Sequence, residues 1–218
     1  MRLEHCNQAT VEETITNAPE GRNTRFLNSS HSLWFRFKNY EKNPPWVLVD
    51  NKDKPVAFVF ATMSKRSRYM NLYDIVTVQG EEGNGYASQI FEQVMEQAHN
   101  AGMQRLKMSC TPESVTWHKR NGMIFWAVDP TGSLRTDQPI FPNKHEQLTF
   151  RELALKDPVL ALPADKKVID QLKRESLESH GFGAKKTEKV EKAIQNVGEY
   201  WMRDTLMNTS ETTLEDFM

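Results

Sequence analysis

The most informative segment of this sequence runs from residue 74 to residue 87 and reads DIVTVQGEEGNGYA. Its first five residues are mostly apolar and β-branched, which predicts a strand. Three glycines follow within residues 80–85, and glycine permits both a tight turn and the close approach of a ligand to backbone amides. A helix is predicted directly after the turn, and the first amides of a helix together with its dipole favour phosphate binding. The segment therefore predicts a strand, a turn and a helix N-terminus suited to a phosphorylated ligand.

The predicted helix after the turn has one continuous apolar face. Its apolar residues recur at steps of three and four and are Ala87, Ile90, Phe91, Val94, Met95 and Ala98. This period is typical of an amphipathic helix that packs on a core. Asn100-Ala101-Gly102 then predicts its end, because glycine favours the position after a helix.

Further elements are predicted on both sides of this unit. Upstream, strands 46–49 and 55–61 flank a polar loop and predict a hairpin, and a third strand spans 72–78. Downstream, Thr111 and Pro112 predict a cap and the start of a short helix. The other predicted elements are helices 9–17 and 30–40 (with Ser30 as N-cap), strand 105–110, helix 113–121, strand 123–128, a polar loop over 133–146, a last strand at 147–155, and charged helices 165–179 and 187–206.

Composition excludes several classes of protein. The 218 residues include 28 basic and 29 acidic side chains, so net charge favours no particular partner and counts against a general DNA-binding protein. The two cysteines, Cys6 and Cys110, lack the spacing of a zinc site or a disulfide framework. We predict no metal. No apolar run approaches the ~18 residues of a membrane span and the N-terminus does not begin a signal peptide, so we expect a cytoplasmic protein with no membrane partner.

Two motifs in this order resemble the GNAT (GCN5-related) N-acetyltransferase superfamily. Residues 82–87, EGNGYA, are similar to the family's Arg-Gly-x-Gly-x-Ala pyrophosphate motif, with Glu82 in place of the basic residue. Residues 118–123, HKRNGM, are similar to its Tyr-x-Lys-x-Gly-Phe ending, with His118 in place of tyrosine. The resemblance covers residues 30–128, with 147–155 as the last strand. It implies an α+β fold (α/β in some schemes) with a central mixed, mainly antiparallel sheet flanked by helices.

The resemblance also implies a domain and a co-substrate. Residues 1–155 would form the N-acyltransferase domain. The C-terminal residues lie outside the resemblance, and the change of composition after Pro163 predicts a helical C-terminal extension over residues 156–218. The co-substrate would be acetyl-CoA, with backbone groups of Val76 and Val78 hydrogen-bonded to its pantetheine arm. The residues around its pyrophosphate would be Gly83, Asn84, Gly85, Tyr86 and Ala87. Lys119, Arg120 or the group Lys65, Arg66 and Arg68 could supply the positive charge that Glu82 does not.

Three residues are candidates for catalysis. Acetyl transfer requires a base that takes a proton from the amine and an acid that protonates the leaving thiolate. By resemblance His118 stands at the position of the acid, and histidine exchanges protons near neutral pH. Asp74 lies in mid-strand, where a carboxylate is costly unless it is paired or opens onto a cleft, and we expect it on the same face as Leu72 and Val76. It is the candidate base, acting through water, and Ser109 could orient a water molecule or the thiolate.

Three functions remain open from the sequence. The first is an N-acetyltransferase that acts on a primary amine of a small molecule or a protein. The second is a Mom-like GNAT enzyme that modifies a nucleic-acid base, with Lys65, Arg66 and Arg68 on the phosphates. The third is a degenerate acyl-CoA-binding interaction module, whose motif Glu82 would weaken. The aromatic residues of the second helix and Trp117 could line a substrate pocket or belong to the core, and the resemblance also allows a homodimer.

Overall fold

A computed structural model describes residues 1–163, 165–177 and 180–209. The chain divides into two compact units. The first consists of residues 1–104 and 140–143, and the second of residues 105–139 and 144 onward.

The first unit contains a four-stranded antiparallel sheet in which the strands follow chain order. Its strands are β1 (Arg2–His5), β2 (Trp46–Val49), β3 (Pro55–Ser64) and β4 (Tyr69–Thr77). The loop between β2 and β3 is held by the carboxylate of Asp50, which accepts hydrogen bonds from the amides of Lys52 and Lys54 at 2.8 and 2.9 Å. The predicted hairpin and the predicted strand before the glycine turn are both confirmed.

Three helices pack on this sheet: α1 (Gln8–Asn17), α2 (Arg22–Arg36) and α3 (Tyr86–Asn100). Leu27 and Trp34 of α2 pack in a core cluster with Phe58 and Phe60 of β3. Residues 56–60 are all buried, so both faces of β3 are covered, and α3 packs against β2, β3 and β4. The apolar stripe predicted for α3 is buried from Ile90 to Ala98, with Ala87 partly buried, which confirms that helix and its orientation.

Ser30 is not an N-cap, which corrects the boundary predicted for the second helix. Helix α2 begins at Arg22, eight residues earlier, and ends at Arg36. Ser30 lies in its interior, where its hydroxyl donates to the carbonyl of Phe26 at 2.9 Å. A serine hydroxyl can bond to the preceding turn of a helix, so serine within a helix and serine at its start look alike in the sequence.

The second unit contains a three-stranded antiparallel sheet in the order β5 (Arg105–Cys110), β7 (Leu134–Pro139), β6 (Ala127–Val128). Two predictions here are wrong. The polar loop predicted for 133–146 contains β7, and the strand predicted for 147–155 is part of helix α5 (Lys144–Lys156). The strand predicted for 123–128 is reduced to the two residues of β6. Strand β7 is not predicted because its polar residues suggest an exposed loop. In the structure, Asp137 is buried and pairs with Arg105, and Gln138 is buried and accepts from the amide of Ile124.

The remaining helices of the second unit are α4 (Val115–Arg120), α6 (Lys166–Leu177), α7 (Ala184–Val197) and α8 (Arg203–Asn208). The last two residues of the helix predicted for 165–179 lie outside the described residues. The helix predicted for 187–206 is interrupted at Gly198, which has a φ of 60°. Helices α6 to α8 belong to the same unit as β5–β7, and the domain boundary at residue 155 stays a prediction.

Each unit combines an antiparallel sheet with packed helices, and the predicted fold class is confirmed. Among the described helices, none combines the length and the apolar composition needed to cross a membrane.

Candidate functional site

The turn between β4 and α3 is exposed and contains three glycines in the left-handed region. The φ angles are 88° at Gly80, 82° at Gly83 and 78° at Gly85. A Cβ atom at Gly80 or Gly83 would meet no atom within 4 Å. The backbone conformation, rather than crowding, therefore favours glycine at these positions. The open space beside the turn leaves room for a ligand to approach its amides.

Helix α3 begins directly at this turn. Gly85 is its N-cap, and no side chain caps the helix. The amides of Ser88 and Gln89 both donate to the carbonyl of Gly85 at 3.1 Å, so the amides of Tyr86 and Ala87 precede the first helical hydrogen bonds. The first turn carries no acidic residue, and the dipole of the fifteen-residue helix favours an anion there. Residues 83–87 therefore fit a pyrophosphate group.

The carboxylate of Glu82 is hydrogen-bonded within this turn. One oxygen accepts from the side-chain amide of Asn23 at 2.8 Å, and the other accepts from the backbone amide of Gly80 at 2.7 Å. The neighbouring Glu81 forms an ion pair with Lys54. Glu82 thus stabilises the turn and joins it to the start of α2.

The basic group Lys65, Arg66 and Arg68 does not lie at the glycine turn. It occupies the hairpin between β3 and β4, before the start of β4, whereas the glycine turn follows the end of that strand. A nine-residue strand separates the two ends by roughly 25–30 Å. The prediction that this group offsets the charge of Glu82 is therefore wrong. Lys65 and Arg68 instead line a cleft of about 580 Å³ with His99 and Gln104.

The register of β4 shows where its backbone groups point. The amide of Val78 donates to the carbonyl of Val56 at 2.9 Å, and Val76 lies opposite Phe58. In an antiparallel ladder, hydrogen-bonded pairs alternate with pairs that are not hydrogen-bonded. The backbone groups of Val76 and Val78 therefore face β3. Those of Ile75 and Thr77 point to the other edge of β4, so a ligand at that edge would meet the backbone groups of these two residues.

A β-bulge interrupts β4 at Tyr73. Phe60 lies opposite Asp74 and Ala61 lies opposite Leu72, which leaves Tyr73 as the extra residue. Opposite residues of an antiparallel pair share a face, and Phe60 and Ala61 are on different faces. Asp74 is therefore on the face opposite to Leu72, and the prediction that the two share a face is wrong. Bulges often re-aim a side chain beside a functional site.

Asp74 lies on the face of β4 that α2 covers. The hydroxyl of Ser30 lies near its carboxylate and favours the ionised form. Burial raises the pKa of Asp74 above that of an ordinary aspartate, and the contact with Ser30 opposes this shift in part. The side chain remains partly accessible. A partly buried carboxylate with a raised pKa is suited to accept a proton.

His118 lies in α4 and is only 7% exposed. Its Nδ1 atom has no hydrogen-bond partner in the part of the chain described, and the ring of Trp117 contacts it edge-on at 4.8 Å between centroids. Burial lowers the pKa of His118 to about 4. The imidazole is therefore neutral at neutral pH, which does not favour a role as proton donor.

Ser109 lies in β5 and belongs to a network of charged groups. Its hydroxyl accepts from Nη1 of Arg135 at 2.6 Å. Arg135 also binds both carboxylate oxygens of Glu175, at 3.0 and 3.3 Å. Ser109 and His118 belong to the second unit, whereas Asp74 and the glycine turn belong to the first.

Several residues of the first unit were not found from the sequence. They are Asn23, which binds Glu82, Ser30, which contacts Asp74, and the β4 residues Tyr73, Ile75 and Thr77. The contact between Asn23 and Glu82 joins residues 59 positions apart, and no local pattern signals it. The residues of β4 could be assigned only from the strand register.

The described residues contain no group of three or more His, Cys, Asp or Glu side chains that could hold a metal ion. Both cysteines are buried free thiols, and burial raises the pKa of each to about 12. Neither thiol is therefore activated as a nucleophile at neutral pH.

Solved structures of acetyltransferases resemble this chain at low sequence identity. A chimera of spermidine N-acetyltransferase SpeG from Vibrio cholerae and hSSAT has a TM-score of 0.51 at 10% identity, covering 67% of this chain and 97% of its own. A SpeG mutant from the same organism has a TM-score of 0.50 at 10% identity, covering 67% and 95%. Nourseothricin acetyltransferase has a TM-score of 0.41 at 18% identity, covering 45% of this chain and 66% of its own. The SpeG structures support the fold.

The sequence profile of the acetyltransferase (GNAT) family matches residues 10–123, which is more than half of the chain. The match includes α2, β2–β4, the glycine turn and α3, together with α4. No curated protein sequence matches this chain. The profile and the fold confirm the resemblance seen in the two motifs, and the chain belongs to the acetyltransferase (GNAT) family of N-acetyltransferases.

Proposed function

We propose that this protein transfers the acetyl group of acetyl-CoA to a primary amine, with Asp74 as the general base. The glycine turn at the N-terminus of α3 carries the proposal. It combines left-handed glycines, exposed amides and a helix dipole in a chain of the GNAT family. Because enzymes of this family generally use acetyl-CoA, it is the co-substrate that we expect at this turn.

Two parts of the first unit would hold the coenzyme. The amides of residues 83–87 would bind the pyrophosphate, since they lie at the start of α3 and are open to solvent. The backbone groups of Ile75 and Thr77 would bind the pantetheine arm, because those of Val76 and Val78 face β3. Glu82 is acidic, but its two oxygens are engaged by Asn23 and Gly80. Backbone amides would therefore supply most of the contacts with the pyrophosphate.

Acetyl-CoA would supply the acetyl group as a thioester. The lone pair of the neutral amine attacks the carbonyl carbon, a C–N bond forms, and the C–S bond breaks with its electron pair on sulfur. Asp74 takes the proton that the amine nitrogen loses, directly or through a water molecule, and the thiolate gains a proton. The products are the N-acetyl amine and coenzyme A, so the reaction consumes no further reactant.

The proton for the thiolate has two candidate sources. His118 is the candidate from the sequence, but an imidazole with a pKa of about 4 carries no extra proton at pH 7. We therefore assign this proton to solvent. Ser109 is bound to Arg135, which supports a role in the charged network of the second unit. The catalytic roles of both residues stay predictions.

The substitution Asp74→Asn tests the proposal. We expect the wild-type protein to bind acetyl-CoA and to release thiol only when a primary amine is present. We expect the variant to bind acetyl-CoA with unchanged affinity but to transfer acetyl about 100-fold more slowly, the typical contribution of a general base. For the wild type, kcat/KM should fall on acidification in two steps, the first as the amine is protonated and the second with an apparent pKa above the ~3.9 of an ordinary aspartate. The second step should be absent in the variant, because only the ionised carboxylate accepts a proton. Binding is measured by calorimetry and transfer by thiol release.

Asp53→Asn is the matched control, because Asp53 is an exposed aspartate of the same unit and asparagine tolerates its positive φ. Its transfer rate should equal that of the wild type. Acetyl-CoA binding without transfer to any amine would favour the interaction module instead. Absence of binding at millimolar acetyl-CoA would exclude both the acetyltransferase and the acyl-CoA-binding module. Action on a nucleic-acid base stays a prediction that no contact in the described residues favours.

A further inference from the structure

The apolar stripe of α2 is wider than the part that the core covers. At 100° per residue, positions 26 and 33 and the C-cap position 37, which directly follows α2, fall within about 40° of one another and adjoin positions 27, 30 and 34. Leu27, Ser30 and Trp34 are buried. The exposed fractions of the adjoining residues are 42% for Phe26, 48% for Leu33 and 64% for Phe37. We call these three exposed residues the α2 strip.

The α2 strip borders the candidate base. Ser30, the next position round the helix, contacts Asp74 and bonds the carbonyl of Phe26. Trp34 contacts Tyr73 edge-on at 5.6 Å between ring centroids, and Tyr73 is itself 56% exposed. Exposed aromatic surface therefore lies on α2 and on β4 next to a partly accessible carboxylate.

The charges of α2 limit what this surface can bind. The helix carries three arginines, Arg22, Arg25 and Arg36, and no acidic residue. Two of them lie against the α2 strip, with Arg22 5.4 Å from the ring centroid of Phe26 and Arg36 5.9 Å from that of Phe37. A ligand with several positive charges would be repelled along this helix. A single amine at Asp74, joined to an uncharged apolar body, complements both the carboxylate and the strip.

We propose that the acceptor is a primary monoamine attached to an aromatic or apolar group, which lies on the α2 strip while its amine reaches Asp74. The inference rests on the proposed acetyl transfer and adds the class of acceptor. It predicts a substrate unlike spermidine, which is the substrate in the names of the SpeG structures. Apolar contact with Phe37 would contribute to binding, not to the chemical step.

Acetyl transfer to 2-phenylethylamine and to spermidine tests the class of acceptor. We expect kcat/KM to be at least 10-fold higher for 2-phenylethylamine. Phe37→Ala should raise KM for 2-phenylethylamine about 10-fold and leave kcat unchanged, because contact with the ring is equal in the ground and transition states. Phe35→Ala is the matched control, since Phe35 is 58% exposed on the opposite side of α2. Its KM should stay within twofold of the wild type.

Direct binding separates this inference from the proposed function. Saturation-transfer NMR with 2-phenylethylamine should show contact with the wild type and with Phe35→Ala, and weaker contact with Phe37→Ala, whether or not acetyl is transferred. Preference for spermidine would overturn the inference and leave acetyl transfer intact. A dimer that Phe37→Ala converts to a monomer, with KM unchanged, would identify the strip as a contact between copies of the chain and would also overturn it. Failure of the wild-type protein to bind acetyl-CoA would instead contradict the proposed function.

Discussion

His118 illustrates how burial changes the chemistry of a residue without any change in its sequence context. The sequence places it where the family has a tyrosine, and its ordinary pKa of about 6.5 suits proton transfer near neutral pH. In the structure burial lowers that pKa to about 4, because the charged imidazolium loses its hydration. The folded protein therefore keeps His118 neutral over a range in which an unfolded chain would protonate it.

This difference predicts a dependence of stability on pH. The pKa of His118 is lower in the folded state than in the unfolded state, so the unfolded state binds more protons between about pH 6.5 and pH 4. The free energy of unfolding must therefore fall as pH falls through this window. Between pH 6.5 and pH 5, the free energy of unfolding should fall in both proteins. We expect the fall to be about 2 kcal/mol smaller in His118→Gln than in the wild type, at about 1.4 kcal/mol per pH unit. Urea denaturation at the two pH values measures the difference.

His145→Gln is the control for this measurement, because His145 is an exposed histidine of the same unit. Its loss of stability on acidification should equal that of the wild type. If His118→Gln also behaved like the wild type, the imidazole would be hydrated in solution, and the acid role predicted from the sequence would gain support.

Asp74 shows which part of a site a sequence can predict at the scale of one residue. Its isolation among apolar neighbours indicated an unusual carboxylate, and burial does raise its pKa. Its shared face with Val76 was predicted correctly, but its shared face with Leu72 was not, because simple alternation cannot include the extra residue that the bulge at Tyr73 inserts. The identity of the residue is therefore visible in the sequence, whereas its partner Ser30 and its orientation depend on strand pairing.

Helix α3 has similar glycines at its two ends but only one end suited to an anion. Gly85 precedes the helix with a φ of 78°, and Gly102 follows it with a φ of 80°. A Cβ atom added at either glycine would have no neighbour closer than 4.0 Å. The helix dipole is positive at Gly85 and negative at Gly102. A substitution at either glycine should therefore cost the same stability, because both positions require the left-handed region. Only a substitution at Gly85 should also affect the binding of an anion.

We expect Gly85→Ala and Gly102→Ala to lower the free energy of unfolding by a similar amount, about 1 kcal/mol. Only Gly85→Ala should weaken acetyl-CoA binding, by about 10-fold or more, because a methyl group there approaches the amides of the turn. Calorimetric titration with acetyl-CoA and urea denaturation of both variants give the two quantities. Equal affinities in the two variants would exclude the turn as the pyrophosphate site.

Elements with a regular apolar period were predicted well, and buried polar elements were not. The stripe of α3 and the apolar run of β3 indicated both elements directly. Strand β7 has the sequence LRTDQP, in which Asp137 is buried beside Arg105, 32 positions away. A charged residue that is buried and paired is unusual, and its partner cannot be inferred from the local sequence. Helix α5 was missed for a related reason, since its polar residues and short apolar runs resemble an edge strand.

At the scale of the whole molecule, the C-terminal helices of the second unit are part of the core of that unit. Phe125 forms an isolated bridge with Trp201, in which its amide donates to the carbonyl of Tyr200 at 3.1 Å and its carbonyl accepts from Met202 at 2.8 Å. Helix α7 packs against α4 and buries Val190, Ala193 and Val197. The narrow apolar stripe of this helix was visible in the sequence, but whether it packs on the same chain or on a partner was not.

Ala193→Asp tests whether α7 is required for the second unit to fold. The substitution places a carboxylate without a partner in a buried position, which costs several kcal/mol. We expect the melting temperature to fall by about 10 °C or more, given a shift of roughly 2–4 °C per kcal/mol for a chain of this size. Gln195→Asp adds the same side chain at an exposed position of the same helix and should shift the melting temperature by no more than about 2 °C. Equal, small shifts in the two variants would mean that α7 leaves the core in solution, and its apolar stripe would then be free to bind a partner.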